Sequence, residues 1–430
     1  MIKIQTDLCN GKMRCLRICP TQAIRVRSGK AMIIEERCVD CGRCLEVCPQ
    51  KAIVPQTDTF AELQKMDYRV AVPSPTLFGQ FSHEISPEDI FAALTQIGFH
   101  EVADITHACE MVSWAIREYI HQYRGPRPLI SSFCPAIVKL IQLRYPSLIN
   151  QLIPIKRPEI VAVELLKQKK ERSKDPRQAA FKAVYLTPCP TMTPALSGSE
   201  PNVIDGAIAI RDLYNPMSDF LSHQTTSVSK KPAFIGRGIR WARLGGTGIM
   251  LRDVLWIAAA GINESMMVLE DIESGKLQNT DYVEIWSCRG GCLRGPLAVE
   301  NYYLAFHKII LNERRDVEPQ IKDLEEIRRL YDEGFFILKE RIRPRYGNAV
   351  EFDLIAALDR RKIKEEALRK LPHLDCGNCG APDCRSLAED ISLGRSELQD
   401  CLFYYSLDRF EDLLKRLGVP IEKSLKTKSQ

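Results

Sequence analysis

The sequence has almost no excess charge: 60 Lys+Arg against 55 Asp+Glu leave +5 over 430 residues. So small an imbalance gives no electrostatic footprint for a polyanion. No basic block interleaved with aromatics stands out either, so nucleic acid is not an expected partner. An uninterrupted apolar run of membrane-spanning length is also missing, and the opening residues MIKIQTDLCNGK have no apolar core of the secretory kind. The expectation is a cytoplasmic protein without membrane insertion, long enough for two or three domains.

What the chain does have is cysteine, 16 in all. In a reducing compartment clustered cysteines bind metal or do redox chemistry rather than form disulfides. Seven fall between Cys9 and Cys48, two at Cys288 and Cys292, and four between Cys376 and Cys401. Cys109, Cys134 and Cys189 stand alone.

Residues 1–58 contain a repeat: CPTQAI at 19–24 is echoed by CPQKAI at 48–53, each after a cysteine run. Between the copies, RVRSGKAMII reads as a hairpin. So short a module buries little apolar area and would take metal clusters as its core. From 67 to 310 short β-rich runs alternate with amphipathic helices, the pattern of an α/β domain with parallel sheets. Strands are expected at 69–74, 101–105, 128–133, 183–188, 207–212 and 282–287. Helices fit ISPEDIFAALTQIG, with Ser86 as N-cap and Gly98 as stop, and MLRDVLWIAAAG, closed by Gly261. KQKKERSKDPRQ (167–178) reads as a solvated loop and helix end. Residues 311–350 read as a charged helical connector, and 351–415 as a helical domain carrying the last cysteines. Residues 416–430 read as a polar tail.

Cys38-x2-Cys41-x2-Cys44-x3-Cys48-Pro is the most specific motif. At this spacing three thiolates hold one cuboidal iron–sulfur cluster, and the fourth, before proline, serves the other cluster of a pair. One cluster, B, would take Cys19, Cys38, Cys41 and Cys44. The other, A, would take Cys9, Cys15 and Cys48, with Lys12 where its fourth thiolate belongs. A protonated lysine has no lone pair to give. Site A is therefore a three-iron cluster, a four-iron cluster with water or Asp7 at the open iron, or empty. Zinc is the alternative at both ends of the chain, although structural zinc usually takes its ligands in two pairs. At the far end, Cys376-x2-Cys379-x4-Cys384-x16-Cys401 has the glycines that let backbone fold close around a cluster. Cys134, Cys189 and Cys288 each follow a predicted strand, at the edge where open α/β sheets gather ligands. Cys292 lies four residues beyond Cys288. Isolated burial is the plainer reading of Cys134 and Cys189, and the one adopted for Cys109.

SSFCPAIVKLIQLRYPSL, LTPCPTMTPAL and EIWSCRGGCLRGPL resemble, in order, the three signature segments of the [FeFe]-hydrogenase catalytic domain. LGGTGIMLRDVLWIAAAG is similar to that family's Gly-rich segment, and the resemblance spans roughly residues 1–310. The last cysteine group is similar to a four-cysteine cluster domain of Rnf-type and corrinoid-pathway redox proteins. Some hydrogen-sensing hydrogenases carry it as well, often before a sensory domain, which is not expected here. The resemblance implies a two-lobed core of parallel sheets flanked by helices. It also implies a cubane on Cys134, Cys189, Cys288 and Cys292, with Cys292 bridging to a two-iron unit that carries CO and cyanide.

The pocket for that unit is altered. The family has T-S-C-C-P, whose earlier cysteine relays protons; here Phe133 takes that position. It has M-P-C-x-x-K, whose lysine holds a cyanide; here Thr187 and Met192 replace the methionine and lysine. Trp286 replaces a methionine before the third-signature cysteine, and Glu159 the glutamine of a Pro-Gln pair. Proton transfer and positioned electrostatics each supply orders of magnitude in rate. Their joint loss argues against the two-iron unit and against hydrogenase turnover.

The reading is an iron–sulfur electron-transfer or redox-regulatory protein on a hydrogenase-like scaffold, relaying electrons to a redox protein partner or a larger electron-transfer complex. Three [4Fe-4S] clusters are expected; Cys9, Cys15 and Cys48 either hold a fourth, [3Fe-4S] or [4Fe-4S], or stand empty. The alternatives are a divergent hydrogenase or hydrogen sensor that retains the two-iron unit, and an iron–sulfur assembly factor.

Overall fold

The computed structural model describes residues 2–171, 175–192, 203–223, 236–315, 324–345, 354–406 and 409. It divides into two compact units that do not follow chain order. The first comprises Met1–Lys3, Val39–Gly42 and Pro55–Arg345; the second comprises Ile4–Cys38, Arg43–Val54 and Tyr346–Gln430.

The first unit is built on two parallel sheets. One runs in the order Glu101–Val102, Arg69–Pro73, Lys182–Thr187, Gly206–Ala209. Val70, Ala71, Val72, Ala183, Val184 and Leu186 are wholly buried, as expected of strands covered on both faces. The other sheet runs Trp256–Ala260, Tyr282–Trp286, Leu129–Ile130. Helix Ile105–Gln122 carries eleven buried residues, Cys109 and Val112 among them. Helix Pro87–Gln96 starts at a capping box between Ser86 and Asp89, and Gly98 follows its end at φ +111°.

Several expected boundaries shift, for physical reasons. MLRDVLWIAAAG is not a helix: Trp256–Ala260 is a strand, paired residue for residue with Tyr282–Trp286. An apolar run rich in alanine suits a helix or a buried strand equally by periodicity, and the available parallel neighbour decides. Gly261, at φ +97°, closes that strand and opens helix Ile262–Glu273. The strand expected at 207–212 ends at Ala209, where helix Ile210–Ser222 begins. Only Leu129–Ile130 of 128–133 and Glu101–Val102 of 101–105 are regular strand. Helix Pro158–Lys170 runs into the charged segment at 167–178. The connector holds the end of helix Tyr302–Arg315 and helix Leu324–Asp332. The polar tail lies outside the described residues. Among the described residues no helix is long and apolar enough to cross a membrane.

In the second unit, Ile24–Arg27 and Lys30–Ile33 form the expected antiparallel hairpin. Ser28 and Gly29 turn it at φ 49° and 72°, the paired left-handed conformation of a tight hairpin turn. Short helices Arg14–Ile18 and Arg43–Val47 follow the repeat. Helix Leu354–Lys370 packs against helix Cys384–Ser392.

Candidate metal centres

Three of the cysteines assigned to the cubane sit just past strand ends of the first unit. Cys189 follows Lys182–Thr187, Cys288 follows Tyr282–Trp286, and Cys134 caps helix Pro135–Arg144 beyond Leu129–Ile130. Parallel strands deliver their loops to one edge, and these loops are tied down. Ser131 Oγ accepts from Ile285 N at 2.9 Å, and Ser132 Oγ donates to Ile153 O at 2.7 Å. Ser287 joins two of the thiols: Cys134 Sγ donates to its Oγ at 3.5 Å, and Cys288 Sγ lies 3.8 Å from it. Thr191 Oγ1 is 2.8 Å from Cys189 Sγ.

The four thiols lie within electrostatic reach of one another. Burial raises the Cys292 thiol well above the ordinary range, and Cys189, Cys134 and Cys288 raise it further. Cys288 is raised in the same way, by burial first and then by Cys189 and Cys134; Cys189 is pushed up by burial to about 11. Buried thiols that oppose each other's ionisation become thiolates when a cationic metal core compensates them. The donor set therefore fits an iron–sulfur cluster. Cys41, in the Val39–Gly42 loop of the same unit, also acts on Cys288. A Cβ on Gly42 (φ +78°) would lie 2.5 Å from Pro296 Cγ and 3.3 Å from Pro190 Cγ, so this loop packs on those that carry Cys189 and Cys292.

Beside Cys292 is a cavity of about 30 Å³. Phe133, Glu159, Met192 and Trp286 all line it, together with Tyr185, Trp241 and Arg157. Thr187 does not: it is wholly buried at the strand end, where its Oγ1 donates to Cys189 O at 2.7 Å and accepts from Cys189 N at 3.1 Å. The Phe133 ring meets Trp241 edge-on, with centroids 4.8 Å apart, and Trp241 Nε1 donates to Ser113 Oγ at 2.8 Å. Arg157 Nη1 lies 3.2 Å from Glu159 Oε1, but this buried oxygen accepts no hydrogen bond. Cys109, read from the sequence as an isolated buried cysteine, is also in the cavity wall. Burial, then Glu159, raises its thiol well above the ordinary range. Only tertiary contact reveals this role, because Cys109 belongs to no cysteine spacing.

In the second unit, Cys9, Cys15 and Cys48 line one cavity of about 20 Å³. Lys12 lines it with them, and Asp7 does not. Burial raises the Cys15 thiol, and Cys9 and Cys48 add to the effect. Ala31 N donates to Cys9 Sγ at 3.4 Å, and Lys30 Nζ to Cys9 O at 2.8 Å. Of the other proposed cluster's ligands, Cys19, Cys38 and Cys44 belong to the second unit and Cys41 to the first.

Cys376, Cys379, Cys384 and Cys401 line one further cavity, of about 10 Å³. His373, Asp375, Gly377 and Gly380 all have left-handed backbone, which winds the loop tightly around the thiols. Asp375 Oδ1 accepts from Cys384 N at 2.8 Å. Among the described residues, no three His, Cys, Asp or Glu side chains are placed to share a single metal ion. Tetrahedral zinc would need thiol sulfurs about 3.8 Å apart.

Three family models match this chain. Residues 67–215 match "Iron only hydrogenase large subunit, C-terminal domain", 371–403 match "Putative Fe-S cluster", and 2–59 match "LdpA Fe-S cluster-binding domain". Residues 67–215 are thus similar to the hydrogenase large-subunit domain, and the matched segments before and after them are similar to Fe–S cluster-binding domains. The module read from its spacing as ferredoxin-like matches the LdpA type. The hydrogenase match carries Cys134 and Cys189; Cys288 and Cys292 lie beyond it. No curated protein matches the sequence. Among solved structures, a variant of [FeFe]-hydrogenase HydA1 from Chlamydomonas reinhardtii is 15% identical with a TM-score of 0.48, covering 64% of this chain and 92% of that one. An apo variant of the same enzyme is 14% identical with a TM-score of 0.49, covering 64% and 94%.

Proposed function

We propose that this protein is an electron relay or redox regulator on a hydrogenase-like scaffold, passing electrons between its clusters to a redox protein partner. The observation that carries the proposal is the filled pocket beside Cys292. A cavity of about 30 Å³ has room for about two waters. A two-iron core with several diatomic ligands is far larger. At the two positions where the resemblance implies a proton relay and a cyanide-holding lysine, Phe133 carries no proton and Met192 no positive charge.

Bound clusters supply one-electron chemistry, and the chain's own residues isolate and connect the sites. Phe133, Met192 and Trp286 narrow the cavity beside Cys292. Cys41 acts electrostatically on Cys288, so the loop of one thiolate group adjoins another, as electron exchange requires.

The test is infrared spectroscopy of protein matured with the dedicated hydrogenase enzymes, alongside iron, sulfide and EPR measurements. A full cubane signal without CO or cyanide bands is expected. CO and cyanide bands that respond reversibly to hydrogen would overturn the relay in favour of a divergent hydrogenase or hydrogen sensor.

A further inference from the structure

The terminal four-cysteine loop is built into the amino-terminal module within the second unit. Val26 N, on the hairpin strand Ile24–Arg27, donates to Gly380 O at 2.8 Å. A Cβ on Gly380 (φ +80°) would lie 1.7 Å from Val26 O, so only glycine allows this approach. Arg27 then reaches across: its Nη1 donates to Cys379 O at 2.6 Å, and its Nη2 to Ser396 Oγ at 2.6 Å and Asp390 Oδ2 at 3.0 Å. Arg25 grips the same carboxylate through both oxygens, at 2.6 and 3.1 Å. Gln22 and Arg37 add contacts to Asp383 and Glu389.

The charges in this group balance in number, Arg25, Arg27 and Arg37 against Asp383, Glu389 and Asp390, but they are not evenly placed. Arg25 and Asp390, buried to 3% and 4% side-chain exposure, pair with each other, and of the three arginines Arg27 is the one whose guanidinium bonds a ligand residue, at Cys379 O. One-electron reduction of a cluster adds one negative charge to its site. A fixed cation and a hydrogen bond to a ligand residue both favour that reduced state. We propose that Arg27, a residue of the amino-terminal module, sets the reduction potential of the terminal cluster, making that cluster a further centre of the module. The proposal rests on reading Cys376, Cys379, Cys384 and Cys401 as an iron–sulfur site. Arg27 touches a ligand's carbonyl and not the cluster itself, so it is a positioning residue.

The test is an EPR-monitored redox titration of the full chain reconstituted with iron and sulfide, using Cys379→Ser to identify the terminal cluster's signal. Arg27→Gln should lower that midpoint enough to change the oxidised-to-reduced ratio about tenfold at fixed potential, or about 59 mV for one electron. It should leave the other midpoints in place, and Arg27→Lys should restore the terminal one. An unmoved midpoint at full iron content, or an equal shift of every signal, would overturn the proposal. Should Arg27→Gln take up less iron, Ser396→Asp sets a carboxylate against the same guanidinium and should lower the same midpoint; no shift there overturns it. If Cys379→Ser releases zinc and removes no EPR signal, the underlying cluster assignment fails instead.

Discussion

Trp286 donates its indole N–H to Glu284 Oε1 at 2.6 Å, from two residues along the same strand. Glu284 is wholly buried and also accepts from Gly245 N at 2.9 Å and Gly248 N at 2.8 Å. The Gly-rich loop and the tryptophan beside Cys292 are thus held by one carboxylate. Alternate residues of a strand share a face, which is why Glu284 can reach the indole.

Glu284→Gln should destabilise the fold by about 1–3 kcal/mol, because the amide turns an N–H toward a backbone donor. Burial raises the Glu284 carboxyl above its ordinary value, against its hydrogen bonds. The folded chain therefore holds a proton that the unfolded chain releases, and this contribution to stability falls as pH rises from the usual carboxylate range through the folded pKa. The variant should lack that part of the pH dependence. Urea melts across pH would check both points.

Phe133→Cys combined with Met192→Lys should still acquire no CO bands after maturation, because Glu284 keeps Trp286 in the cavity wall. Adding Trp286→Met should be required before any bands appear. Infrared spectra of the double and triple variants decide it. Bands in the double variant would show that the tryptophan is no barrier.

Lys12→Cys should complete the thiol set lining the Cys9, Cys15 and Cys48 cavity. The variant should gain about one iron per chain and lose the EPR signal of an oxidised three-iron cluster. Cys15→Ser should abolish that signal without the gain. A wild-type chain lacking both the signal and the iron would mean the site is empty.

Lys139→Met should cost about 3–5 kcal/mol, the usual result of stranding one member of a buried pair. Lys139 Nζ lies 2.7 Å from Asp40 Oδ2, at 12% and 7% side-chain exposure, and Asp40 Oδ1 also accepts from Ile2 N at 3.0 Å. This pair anchors the loop carrying Cys41. Chemical denaturation measures the loss, and a cost under about 1 kcal/mol would place the pair in the exposed class.

Much of the site was legible in the sequence because cysteine spacing is a local code. The four thiols of the terminal group fall on one cavity, and so do Cys9, Cys15 and Cys48. Phe133, Glu159, Met192 and Trp286 also meet at one cavity, although they are scattered over more than 150 residues of sequence. Thr187 was equally prominent in sequence but turns into its own loop, since a hydroxyl at a strand end finds nearby backbone partners. Cys109 gave no signal at all. The strand at Trp256–Ala260 was misread for a related reason: its neighbour, Tyr282–Trp286, is distant in sequence, and apolar periodicity says nothing about pairing.

By itself the sequence determined the candidate iron ligands and the side chains that stand where the family it resembles has a proton carrier and a cation, because ligand identity is a property of each residue. Tertiary structure decided what those residues touch. It placed Cys109 in the wall of the cavity that Cys292 also lines, locked Trp286 onto Glu284, and set Arg27 against Cys379, 352 residues away in sequence. Such contacts depend on how strands pair and loops close, and short-range pattern carries no record of either.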